Sequence, residues 1–159
     1  MRTRLTWCAA AGLALLALGM GRKPPAKEDA KMTDLSQMTA VDVTPNAWTG
    51  AYCAATTPSA QLIEDEKSWA ELWKQSLNKE APAVDFGKFV AAAVFVGVRN
   101  TGGYGVDFLP PVSDGAAAVI GYTVRSPGKS SFVIQSFTQP YAIRLYRKPG
   151  TPVRLEEAK

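Results

Sequence analysis

The 159 residues include no histidine. That removes Ser-His-Asp triads, Cys-His dyads, imidazole general bases and the common zinc sites together. Of the two cysteines, Cys8 lies in an apolar N-terminal run and Cys53 stands alone. Neither a thiolate metal cage nor an internal disulfide can be built from that pair once the leader is set aside. Lys129, Ser130 and Ser131 in "SPGKSS" are the parts of a Ser-Lys nucleophile. Pro127 and Gly128 before them instead spell a solvated turn. Glu64, Glu71, Asp85 and Asp107 are candidates for the two carboxylates of glycoside cleavage, yet no spacing selects two of them. "TGGYG" lacks both the G-x-G-x-x-G spacing and a Gly-Lys-Ser/Thr ending, so it is not a nucleotide loop. The acids are dispersed, without the spacing of a calcium loop. The expectation is a protein that is not an enzyme and needs no cofactor or metal.

The residues that hold such a chain together point to one exported domain. Residues 1–21, "MRTRLTWCAAAGLALLALGMG", have the plan of a secretory signal peptide. Arg2 and Arg4 form the positive region, an apolar run follows, and Ala17, Gly19 and Gly21 suit a cleavage site. The run is shorter than the ~20 residues that span a bilayer. A membrane association is therefore expected only if this leader stays uncleaved. Its removal lowers the basic groups from 18 to 16 against 14 acids, too small an excess to call for nucleic acid, and the cations are scattered. The expected location is periplasmic or secreted. Residues 22–44 are rich in charge and proline and read as a flexible tether, leaving residues 45–159 as the domain, with order setting in between Val41 and Trp48. Cys53, in "AWTGAYCAATT", is expected to be a packed thiol.

Within the domain one helix is well signalled. In "EDEKSWAELWKQSLNK", Asp65 is the N-cap, and Trp69, Leu72, Trp73 and Leu77 make a single apolar stripe. The two tryptophans read as the plug of a helix laid on a sheet, with a ligand platform as the alternative. "KFVAAAVFVGV" is apolar without a break, as in a central strand covered on both faces. "YGVDFL", "AVIGYTVRS" and "YAIRLYRK" alternate and read as further strands, the last with Tyr141, Ile143 and Leu145 inward and Arg144 outward. Gly102-Gly103 suits a two-residue hairpin with positive φ at both central positions. The expected class is α+β: a mostly antiparallel, twisted sheet or open barrel packed with one helix.

Three stretches in order carry a resemblance: "LIEDEKSWAELWKQ", "VDFGKFVAAAVFVGVRNTGGYGVDF" and "FTQPYAIRLYRK". Over about residues 60–148 the chain resembles the PrcB C-terminal domain family of small exported bacterial domains. Asp85-Phe86 and Thr101-Gly102-Gly103-Tyr104 are the most specific pieces. Gly105 fits only loosely the small or polar residue usual after the tyrosine, and no lipobox cysteine stands near the cleavage site. The resemblance implies a non-catalytic accessory domain that binds a protein partner, such as a subtilisin-like protease, and stabilises it. The string Asn100, Thr101, Gly102, Gly103, Tyr104 is also similar to the Asn-Pro-Thr-Thr-Gly-Tyr loop of chagasin-like cysteine-protease inhibitors, with no proline after Asn100 and two glycines for one. These five residues are the candidate partner-binding site, since a glycine-backed loop approaches a cleft closely while a tyrosine supplies contact area. The alternatives are a protease inhibitor presenting that loop, and a structural or small-ligand-binding envelope domain.

Overall fold

The computed structural model describes residues 35–158, so the expected signal peptide and the first part of the expected tether lie outside the described residues. Packed structure begins at a 3-10 turn, Leu35–Thr39, earlier than the sequence suggests. The reason is a spacing of three: Leu35 and Met38 fall on one side of such a turn, and Met38 is buried in the core with Leu35 packed beside it. Arg147 fastens the following stretch. Its Nε donates to the Ala40 carbonyl at 3.3 Å and its Nη2 lies 3.5 Å from the Asp42 carboxylate.

The strands are β1 (Ala47–Gly50), β2 (Ser59–Ile63), β3 (Phe89–Phe95), β4 (Gly105–Phe108), β5 (Val112–Ser113), β6 (Ala118–Arg125), β7 (Tyr141–Arg147) and β8 (Val153–Glu157). Helix α1 (Glu66–Leu72) runs on into a π-helical turn, Trp73–Leu77. One sheet has the order β1-β7-β3-β2 and is antiparallel throughout. In the other, β4 and β5 pair with successive stretches of β6, while β8 runs parallel to β6 along its opposite edge. The expected α+β class, mostly antiparallel with one α-helix, is what the structure has. The strands divide between two sheets, and neither closes into a barrel.

β3 explains why the two sheets and the helix form three layers. All seven of its residues are buried. Ala91, Ala93 and Phe95 face the helix side with Ile143 and Leu145 of β7, and Val90 and Ala92 face the second sheet with Ile120 and Tyr146. Alternate side chains of a strand point to opposite faces, so a strand covered twice has no polar position to spare. The alanines in its centre leave room for large rings on either side. Toward the helix these are Trp69 and Trp73, 5.3 Å apart between ring centroids, joined by Trp48 of β1 at 5.7 and 5.4 Å and by Phe86 at 6.0 Å from Trp69.

Helix α1 forms as its sequence demands. The Asp65 carboxylate accepts from the Ser68 N–H at 2.9 Å, and this bond, stronger to the ionised cap, holds the Asp65 carboxyl below its ordinary range. The indole of Trp69 donates to the Pro82 carbonyl at 2.8 Å. Trp69, Leu72 and Trp73 are buried and Leu77 is half-buried, as the stripe requires. Asn78, with φ 51°, ends the turn in the left-handed region, a conformation that asparagine tolerates.

Candidate protein-docking surface

Asn100, Thr101, Gly102, Gly103 and Tyr104 do not form a hairpin. β3 and β4, which flank them, belong to different sheets, so the segment crosses from one layer to the other. The glycine pair suits either route, and only Gly103 has positive φ, 85°. The partner of this crossing is the long loop between β6 and β7, residues 126–140. Arg99 and Thr138 exchange backbone hydrogen bonds at 2.8 and 2.9 Å, and Gly102 N–H donates to the Ile134 carbonyl at 2.9 Å. The Thr138 hydroxyl, buried, donates to the Thr101 carbonyl at 2.9 Å. A methyl group on Gly102 would stand 2.7 Å from Ile134 Cγ1, and one on Gly103 2.8 Å from Val133 Cγ1. Both glycines are there because the second loop lies directly against them. Tyr104, half-buried, lies under the Arg99 guanidinium, 5.3 Å from the ring centroid.

The predicted residues are therefore brought together, but they are mostly a seat. Asn100 and Gly103 are exposed, Thr101 and Tyr104 half-buried, and Gly102 buried. What projects is the loop they support. Phe132 is fully exposed at 106 %, with Phe137 at 65 % and Ile134 at 58 %. The Arg99–Thr138 bridge sets Asn100 opposite Phe137 and keeps Val98, also exposed, beside them. Isolated exposed apolar side chains are ordinary, whereas several large ones in one loop make that loop the candidate docking surface. Sequence reasoning missed these three residues. "SFVIQSF" alternates as a strand does, and the available signal was its position between two turn-rich stretches, "SPGKSS" and "TQP".

The other candidates disperse. Asp107 is held by Arg125 through two hydrogen bonds of 3.0 and 2.9 Å. Asp85 accepts from Gly87 N–H at 2.9 Å and pairs with Lys88 at 3.2 Å, building the turn into β3. That backbone bond, with the Lys88 ammonium beside it, holds the Asp85 carboxyl below its usual range. Glu71 lies 4.0 Å from Lys67 along the helix. Lys129 and Ser130 form an exposed turn, closed by Ser131 N–H to the Gly128 carbonyl at 2.9 Å. Cys53 directs its thiol at the Gln139 carbonyl, 3.2 Å away, and burial pushes that thiol up from its ordinary value, away from the thiolate that would react. The helix tryptophans are buried among one another as a plug, with Trp69 also lining a cleft beside Glu66, Ala70 and residues 81–85. Among the described residues no three or more Asp, Glu or Cys side chains gather as a metal site, and no helix is long and apolar enough to cross a membrane.

The two interlocked loops and the strands around them also decide the comparison with known families. Residues 90–143 match the PrcB C-terminal family model. The PrcB-like segment runs from β3 through the crossing, all of the second sheet except β8, the Phe132 loop and the first residues of β7. It contains both members of the loop pair. Asp85-Phe86 and α1 lie outside it, although the resemblance in sequence extends to them. No curated protein and no solved structure gives a match.

Proposed function

We propose that this is an exported, non-catalytic accessory domain that binds and stabilises a protein partner in a protease complex, a secreted subtilisin-like protease being the specific expectation. The PrcB-like segment supports the class of partner. The observation that carries the docking surface is the exposure of Phe132, Ile134 and Phe137 on a loop hydrogen-bonded to the Thr101-Gly102-Gly103-Tyr104 seat. Aromatic anchors of this kind dominate interface energetics when they enter a partner's pocket. A pinned loop also loses little freedom on binding, which lowers the cost of association.

Replacing Phe132 by a photoreactive residue and cross-linking in the cell envelope tests the reading. A protease adduct is expected. The double variant Phe132→Ser/Phe137→Ser should abolish the association while changing folding stability by only about 0.5 kcal/mol, because both rings are already in water. No adduct, together with reproducible turnover of a small substrate by the purified chain, would overturn it. The inhibitor reading has less behind it. Gly102 is buried and the Thr101 carbonyl is already bonded, so residues 100–104 are not a loop free to enter a protease cleft.

A further inference from the structure

The open edges of the two sheets share a cleft. Among the described residues β1 pairs only with β7, and β4 only with β6. In an antiparallel ladder the residues alternate between bonded pairs and pairs whose backbone groups point outward. The Leu145 N–H to Asn46 carbonyl bond and the Leu109 N–H to Gly121 carbonyl bond, both 2.9 Å, fix which residues are which. Thr49 on β1 and Val106 on β4 are thereby left with N–H and C=O directed away from their ladders. Both residues line a cleft of about 320 Å³.

The floor of this cleft is built by missing side chains. A methyl group on Gly50 would meet Tyr141 Cε1 at 2.6 Å, and one on Gly105 would meet Arg125 Nη2 at 2.9 Å. The ring and the guanidinium thus lie flat across the strands. Arg125 is already neutralised by Asp107, so the site presents no unpaired charge for a free anion. It offers an aromatic surface, a balanced ion pair and the outward backbone groups of Thr49 and Val106. Proteins ordinarily guard such edges with charges. β8 does so with Arg154, Glu156 and Glu157, whereas "AWTG" of β1 carries no charge and the single acid of "GVDF" is taken by Arg125.

We infer that this cleft binds an extended peptide segment of a partner protein by strand addition, its main chain pairing with Val106 of β4 and Thr49 of β1. The cleft shares Tyr104 with the seat of the Phe132 loop but none of that loop's exposed rings, and it does not require the partner to be a protease.

The probe is a display library of random 12-residue peptides selected on the full chain. Enriched peptides are expected to slow amide hydrogen exchange at Thr49 and Val106, and to lose affinity when their alternate amides are N-methylated. Val106→Pro removes an outward N–H without touching the β4–β6 ladder, and an edge strand accommodates proline there. It should weaken binding by about tenfold. If that variant does not fold, the N-methyl series and the exchange data carry the decision. The proposal is overturned if no peptide enriches, or if enriched peptides leave both amides unprotected and tolerate N-methylation. Phe132→Ser/Phe137→Ser should bind the peptides normally. Failure of one site is thereby told apart from failure of the other.

Discussion

Tyr146 offers the sharpest test of how the layers are packed. Its ring is fully buried between the sheets, edge-on to Phe108 at 6.1 Å and beneath the Arg144 guanidinium at 5.6 Å. Its hydroxyl has no hydrogen-bond partner among the described residues. A buried hydroxyl left unpaired costs about 1–3 kcal/mol. Tyr146→Phe removes that group and keeps the ring, so it should stabilise the domain by about 1–2 kcal/mol near neutral pH. For a domain of this size each kcal/mol raises Tm by roughly 3–5 °C. The same burial pushes the Tyr146 phenol up to about 12, with Arg144 pulling weakly the other way. The fold favours the neutral phenol, whose unfolded value is about 10. Its contribution is therefore complete below about pH 10 and is lost as the pH rises through about 12, a loss of about 3 kcal/mol. Phenylalanine has no such term, so the advantage of the variant should widen by about that amount across the window. Urea unfolding followed by tryptophan fluorescence, at steps from about pH 7 to about pH 12, measures both effects. A variant less stable than the parent at neutral pH, or a gap that stays constant with pH, would refute the reasoning.

Two further outcomes follow from the packing. Trp69→Ala empties the centre of the four-ring cluster and removes the bond to the Pro82 carbonyl, so a loss of about 3–5 kcal/mol is expected by chemical denaturation. Gly103→Ala places a methyl group at φ 85° and 2.8 Å from Val133. It should cost about 1–2 kcal/mol and loosen the Phe132 loop, seen as faster amide exchange at Gly102.

The parts of this fold that were legible in the sequence are those whose signal is local. α1 announces itself through an aspartate cap and a stripe at helical spacing, and β3 through an unbroken apolar run that only a doubly covered strand can bury. The crossing at residues 100–104 was not legible, because Gly-Gly serves a hairpin and a change of layer equally well. What separates them is the loop carrying Ile134 and Thr138, more than thirty residues away. β8 was hidden for a related reason. Val153 and Leu155 are its only apolar residues, and three of its five positions are charged or exposed. It is a strand because the free edge of β6 accepts it in parallel. In the docking surface, the glycines and tyrosine were visible and their neighbours Phe132, Ile134 and Phe137 were not. Exposure is a tertiary property, and an apolar residue in an alternating run is normally inward.

The parallel pairing of β8 with β6 also sets when this chain can become a protein. The second sheet keeps one long edge of β6 open until residues 153–157 arrive. The first sheet likewise waits for β7 to bridge β1 and β3, strands that lie about forty residues apart. Non-local closures of this kind are slow to form. Both sheets are completed only by β7 and β8, so the closure of each layer waits on pairings between residues far apart in the chain.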